Sequence, residues 1–169
     1  MRIHRALFTL LIPCAIFAQD ASRSVAGGGI SAPGWKGQIQ VNLANTLISL
    51  TQYDEAQSLL DEALNAGRTS ANNELMINAL TAKARLAIVR QQAASADEAL
   101  TEAILLARKI DHRRLLAEAL SMRSQQQAAL ERPGESAATW EEAQKLYAML
   151  HMPQAKYQPT WLAKSATHI

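Results

Sequence analysis

The chain is poor in cysteine and in aromatic residues. Its one cysteine, Cys14, lies in an apolar N-terminal stretch, and aromatic residues make up 5% of the chain. Once that stretch is removed, the remaining chain has no cysteine, which excludes disulfides and thiolate metal sites. After residue 30 there is no alternating run of β-branched residues, which argues against a β-sheet. Alanine and leucine are plentiful, and this mixture favours closely packed helices.

An excess of charge of either sign is also missing. The chain has 17 Lys and Arg against 15 Asp and Glu, and Arg2 and Arg5 belong to the N-terminal stretch. Without that stretch, 15 basic residues face 15 acidic ones, so the formal net charge is near zero. A neutral surface has no field that attracts nucleic acid, which we therefore do not expect as a partner.

Motifs of catalysis and of metal binding are missing as well. The sequence has no Gly-x-Ser-x-Gly and no Cys/His metal spacing. Asp61–Glu62 and Glu141–Glu142 are predicted to face solvent with ordinary pKa values. The histidines beyond the N-terminal stretch each fall in a loop or tail: His112, His151 and His168. We therefore predict a protein that is not an enzyme and that has no cofactor and no metal site.

Residues 1–18 have the features of a secretory signal. A short basic start precedes an uncharged apolar run, 6–18, and Ala18 offers a cleavage site. About 13 apolar residues are too few to span a bilayer but suit the core of a signal. We expect a periplasmic or secreted protein, with no membrane insertion after cleavage. The alternatives are an uncleaved N-terminal anchor and, less favoured because Pro13 precedes Cys14, a lipidated cysteine.

The rest of the chain divides into three parts. Residues 19–34 contain a glycine triplet and are predicted to form a flexible linker. A phosphate loop is disfavoured, because no Lys-Ser/Thr pair follows the triplet. Residues 35–152 show the apolar period of helices. Residues 153–169 form a C-terminal tail, in which Trp161–Leu162 are expected to fold back as a cap over the last exposed helix face.

A sequence motif recurs along the helical region. Asp-Glu-Ala followed by small and apolar residues begins at Asp54 and again at Asp97, and a looser copy begins at Glu135. Each copy follows another helix-like segment, and small residues recur where two helices must touch. The pattern indicates stacked helical hairpins, in which no repeat buries its apolar face alone.

Local signals mark several helix ends. Asn72 or Ser70 is predicted to start the second hairpin, and residues 95–98 have the sequence of a capping box. Gly67 is predicted to end the helix before the second hairpin. Pro133 is predicted to open the last helix of the repeat region.

The repeats resemble those of the tetratricopeptide repeat (TPR) family over roughly residues 36–150. The spacing is 43 residues from Ala56 to Ala99 and 37 from Ala99 to Ser136, against about 34 in the family. The resemblance implies an all-α fold of stacked antiparallel helical hairpins, with about three repeats in a right-handed superhelix. The residues that match the family's repeat-packing pattern are Ala56, Leu60, Ala63, Ala99, Ala103, Leu106, Ser136, Trp140 and Ala143.

In this family the first helices of the hairpins line a concave groove that holds a peptide or a partner's helix. Asn45 matches a backbone-binding Asn, whereas Val41 stands where members that clamp a C-terminal carboxylate have Lys. The resemblance therefore implies a neutral groove for a protein or peptide. The alternative is that these residues form only a solvated helix face. The residues assigned to the groove are Gln38, Val41, Asn45, Ile48, Thr81, Ala84, Ile88, Gln91, Glu118, Ser121, Gln125 and Ala128.

The sequence leaves two functions open. The leading hypothesis is a non-enzymatic adaptor that mediates protein–protein interaction through the groove. The alternative is a structural, self-associating subunit of an envelope complex, because three hairpins leave two apolar ends. In that case Trp140, Tyr147 and Trp161 would lie at a contact between copies, and the protein would be a homo-oligomer.

Overall fold

Six helices of 17 residues start at intervals of 20 residues in the computed structural model, which describes residues 33–165. They are α1 (Pro33–Ser49), α2 (Tyr53–Thr69), α3 (Asn73–Val89), α4 (Ala93–Lys109), α5 (Arg113–Ala129) and α6 (Pro133–Met149). A 3₁₀ turn (Pro153–Lys156) and a short helix, α7 (Thr160–Ser165), follow. The predicted signal and almost all of the predicted linker lie outside the described residues.

Every long helix ends in the same way. The N–H of Gln52 donates to the carbonyl of Leu47 at 2.9 Å, and the same bond recurs at each later helix end. This is the Schellman arrangement, in which one residue adopts a left-handed conformation. None of those residues is glycine: they are Thr51, Ala71, Gln91, Asp111, Glu131 and His151, with φ between 51° and 62°. Helix ends are therefore hard to predict here, because the usual glycine signal is absent from all six positions.

Two of the predicted helix boundaries agree with the structure and two do not. Asn72 caps α3, since its Oδ1 accepts a hydrogen bond from the N–H of Leu75 at 3.0 Å, and Pro133 opens α6 as predicted. The capping-box prediction is wrong, because α4 begins at Ala93 and Ser95 lies inside it. The prediction for Gly67 is also wrong, because α2 continues to Thr69. A Cβ at Gly67 would lie 2.8 Å from Cγ of Met76, so this glycine allows α3 to pack closely.

Consecutive helices pair as α1–α2, α3–α4 and α5–α6, which confirms the predicted all-α stack of helical hairpins. Neighbouring first helices also contact each other, as α1 with α3 and α3 with α5. Across the described helices, no Cα of α2 comes within 8 Å of α4, and none of α4 within 8 Å of α6. The first helices therefore form the inner, more closely spaced layer of the stack.

The core is built from small residues that recur every 40 residues. Ala44, Ala84 and Ser124 on the first helices have no exposed surface, and neither do Ala56, Ala96 and Ser136 on the second helices. In the third hairpin these two positions touch: the hydroxyl of Ser124 donates to the carbonyl of Ser136 at 2.9 Å, and the reverse bond is 2.8 Å. Small residues at this crossing let the paired helices approach closely, as the repeat predicts.

The middle repeat is displaced by three residues from the predicted register. The structural equivalent of Ala56 is Ala96, so both repeat spacings are 40 residues. Ala99 is buried but occupies the place of Leu59 and Thr139. Apart from Leu106, which is half-buried, the predicted packing residues are all buried.

The C-terminal segment covers the last hairpin. The ring centroid of Trp140 lies 6.4 Å from that of Tyr157 and 5.9 Å from that of Trp161, both close to edge-on. The indole N–H of Trp161 donates to the hydroxyl of Ser124 at 3.2 Å, and Trp140 is 5% exposed. Residues 153–165 therefore occupy the place that a further first helix would take.

None of the described helices has the length and hydropathy needed to cross a membrane.

Candidate functional site

The inner face is the solvent-facing side of the first-helix layer. It consists of positions related by 40 residues on α1, α3 and α5: Gln38, Asn45, Asn78, Thr81, Arg85, Ile88, Glu118, Ser121 and Gln125. Side-chain amides and other polar groups dominate it. Asn78 was missed by the sequence reasoning, and Asn78 and Arg85 take the places that the predicted register gave to Thr81 and Ile88.

Several residues predicted for the groove do not lie on the inner face. Val41 and Ile48 are buried between α1 and its neighbours, and Ala84 is fully buried at the crossing with α4. Gln91 lies in the α3–α4 connector, where it adopts the left-handed conformation. The error in the middle repeat has one cause: aligning Ala56 with Ala99 shifts every residue of α3 by three positions.

Hydrogen bonds already link the amides of adjacent first helices. The Nδ2 of Asn78 donates to the Oε1 of Gln38 at 3.0 Å. One row further along, the Nη1 of Arg85 donates to the Oδ1 of Asn45 at 3.2 Å. The Nε2 of Gln38 also donates to the Oδ1 of Asn42 at 3.2 Å. An incoming backbone would therefore exchange hydrogen bonds with these amides, of which Gln38, Asn45 and Asn78 are half-buried.

Charges of both signs lie on the inner face. Arg85 is exposed at its centre, and Glu118 is half-buried and accepts a hydrogen bond from the Nη1 of Arg114 at 2.8 Å. Burial raises the pKa of Tyr147, the nearby Glu118 carboxylate raises it further, and a hydrogen bond with Ser121 opposes them. The third repeat thus couples its inner face to the buried aromatic cluster around Trp140.

The acidic pairs are exposed as predicted, but two of their pKa values are not ordinary. Burial tends to raise the pKa of Asp61, but hydrogen bonds from Lys83 and Gln57 outweigh it, so the pKa is lowered. The hydrogen bond and charge of Lys145 lower the pKa of Glu141. Both carboxylates are exposed ion-pair partners, and such pairs contribute little to stability.

Metal-binding geometry does not occur among residues 33–165, where no group of three or more His, Cys, Asp or Glu could hold an ion. His112 instead caps α5, with its Nδ1 accepting from the N–H of Leu115 at 3.4 Å. His151 lies in a connector, and His168 lies outside the described residues. A comparison with protein-family models, with curated proteins and with solved structures finds no match in any of the three.

Proposed function

We propose that this chain is an exported, non-enzymatic, TPR-like adaptor that binds a protein or peptide through the inner face. The observation that supports it is the layer of first helices: their Cα atoms approach within 8 Å of one another, those of the second helices do not, and the shared surface carries hydrogen-bonding amides. The features of residues 1–18 support export to the periplasm or secretion. Nucleic acid, cofactors and metals have no part in the proposed function.

The chemistry of the inner face suits an extended backbone. Side-chain amides can both donate to and accept from peptide groups, so a row of them recognises a main chain without requiring one sequence. Arg85 supplies a fixed positive charge in the middle repeat, which favours a peptide with an acidic side chain near its centre.

The experiment compares two surfaces of the same stack. Partners retained by the wild-type protein from its native envelope fraction are identified by mass spectrometry, and their affinities for purified variants are measured by calorimetry. Asn45→Ala combined with Arg85→Ala should weaken binding at least about tenfold without lowering the melting temperature by more than a few degrees. Arg108→Ala is the control, because this exposed arginine on α4 is bound to Glu142.

Two results would contradict the inner face as the binding surface. One is wild-type affinity in the double variant, and the other is an equal loss in the Arg108→Ala control.

A second function, self-association, is supported by α1. Trp35, Ile39 and Leu43 are spaced four residues apart and form a stripe that is exposed, with Trp35 at 73%. The equivalents of Trp35 in the later repeats, Leu75 and Leu115, are buried against the preceding hairpin. Lys36 is the one charged residue of α1, so two copies of the stripe can meet without strong repulsion.

In this second function the contact between copies lies on α1, at the opposite end of the stack from the contact that the sequence predicted. Trp140 and Tyr147 are buried within one protomer beneath the C-terminal segment, and Trp161 packs on them. Sedimentation at tens of micromolar should show a dimer, and Ile39→Lys should convert it to monomer. A monomeric wild-type protein would exclude self-association as the function.

A further inference from the structure

A polar cleft of about 430 Å³ opens between the second and third hairpins. We call it the α4–α5 cleft; its walls include Ala93, Ala94, Asp97, Arg123, Gln126 and Leu130. It lies where the start of α4 meets the end of α5 and is separate from the inner face, so the two sites can be tested independently.

The 40-residue period provides an internal comparison for this cleft. The equivalent place between the first and second hairpins is filled by the ring of Tyr53, which packs against the core. The guanidinium carbon of Arg90 lies 5.7 Å from the centroid of that ring, and Arg90 also pairs with Asp54. One repeat later Ala93 stands in place of Tyr53 and Leu130 in place of Arg90. The cleft is therefore the space of a missing tyrosine side chain.

The substitution at the floor of the cleft adds an unsatisfied polar group. Leu86 of the first interface is replaced by Gln126, which is only 4% exposed. The Nε2 of Gln126 donates to the carbonyl of Ala93 at 3.0 Å, which fixes the orientation of the amide. Its Oε1 has no hydrogen-bond partner among the described residues, and neither does that of Gln127. A buried acceptor without a donor costs free energy, so these oxygens favour a ligand that donates.

A charged wall completes the site. Arg123 is largely buried, and its Nη2 donates to the Oδ1 of Asp97 at 3.2 Å and to the hydroxyl of Thr101. This pairing holds the guanidinium in place beside the cleft, where its flat face can accommodate an aromatic ring. Apolar surface from Ala93 and Leu130 lies close by.

We propose that the α4–α5 cleft binds an aromatic ring that carries a hydrogen-bond donor, as in the side chains of tyrosine and tryptophan. The ring takes the place that Tyr53 fills in the first interface, and its O–H or N–H donates to the amide oxygen of Gln126. The ring belongs either to a side chain of a partner protein or to a free small molecule, and these two sources are distinguished below.

The test uses the full-length protein and two probes that differ by one hydroxyl. N-acetyl-tyrosinamide should bind in the millimolar range, and N-acetyl-phenylalaninamide at least about tenfold more weakly, as followed by two-dimensional NMR. Ala93→Tyr should fill the cleft from within, abolish binding and raise the melting temperature by about 3–5 °C. Ala148→Tyr, an exposed position on α6, is the matched control and should change neither property.

The acceptor is tested separately. Gln126→Leu restores the residue type found in the first interface, so it should remove the preference for the hydroxylated probe without loss of folding. A heptapeptide with a central tyrosine that binds at least about tenfold more tightly than N-acetyl-tyrosinamide would assign the ring to a protein partner. Equal affinities would assign it to a free small molecule.

Three results would overturn the proposal. The first is equal binding of the two probes to the wild-type protein. The second is undiminished binding of N-acetyl-tyrosinamide to the Ala93→Tyr variant. The third is no response to either probe at about 10 mM, which would mean that the cleft holds water only.

Discussion

The two ends of the helical stack differ in how they stop. At the C-terminal end the 3₁₀ turn and α7 cover α5 and α6, and Trp140 is buried among Tyr147, Tyr157 and Trp161. At the N-terminal end of the described chain, α1 presents Trp35 at 73% and Ile39 at 61% exposure. Aromatic residues thus occur at both ends, but they are buried at only one.

The difference shows what the repeat requires of its neighbours. Leu75 and Ala79 of α3 are buried because the first hairpin covers them, and the same positions of α1 are exposed. A helical repeat buries one face only when another element lies against it. The closed end should therefore contribute to stability, whereas the open end should contribute to contacts with other molecules.

The largest expected effect on the free energy of unfolding is seen when two tryptophans, one from each end, are replaced. Trp140→Ala should lower the free energy of unfolding by about 3–5 kcal/mol, because it removes a buried ring and leaves a cavity. Trp35→Ala should lower it by less than about 0.5 kcal/mol, because that side chain is mostly exposed. Urea unfolding followed by circular dichroism measures both. Similar losses in the two variants would mean that the ends do not differ in packing.

A smaller loss is expected from the cap itself. Trp161→Ala should lower the free energy of unfolding by about 2 kcal/mol, since its ring covers Trp140 and its N–H donates to Ser124. Ile39→Ala at the open end is the matched control and should change stability little. If the Trp161 variant unfolded at the wild-type urea midpoint, residues 153–165 would not act as a cap.

Sequence patterns were sufficient to predict the helices and their pairing, because burial imposes a strong apolar period. They misplaced the middle repeat because the Asp-Glu pairs that suggested the alignment are exposed and have no fixed place in the packing. The residues that packing does fix are the small ones at the crossing, Ala56, Ala96 and Ser136. A search for small residues at a constant period of 40 would have found the correct register.

The candidate sites depend on this register, which is why they were predicted only in part. Gln38 and Asn45 were placed correctly on α1, but their hydrogen-bond partners Asn78 and Arg85 fall three residues from the predicted positions. The α4–α5 cleft could not be predicted at all. It becomes visible only when Ala93 is compared with Tyr53, and that comparison requires the correct period.

Two glycines give a finer test of packing in the first and last hairpins. Gly134→Ala should raise the free energy of unfolding by about 0.5 kcal/mol, because alanine favours helix and a Cβ there meets nothing within 4 Å. Gly37→Ala should bring no gain, since its Cβ would clash with a Cδ of Leu75, which must then move. Chemical denaturation resolves this difference. A gain at Gly37 equal to that at Gly134 would show that α1 and α3 are not closely packed.

The smallest expected effect is on the free energy of unfolding at alkaline pH, and it depends on the burial of Tyr147 at the closed end. Burial, with help from Glu118, raises the pKa of Tyr147 above the value of about 10 expected in an unfolded chain. Above pH 10 the folded state therefore holds this proton more tightly than the unfolded state, so stability should fall as pH rises through the folded pKa. Tyr147→Phe should remove this part of the fall, as measured by urea unfolding at pH 8 and pH 10.5. The same fall in both proteins would mean that Tyr147 is not buried as described, and that the cap at this end is more open than its aromatic contacts indicate.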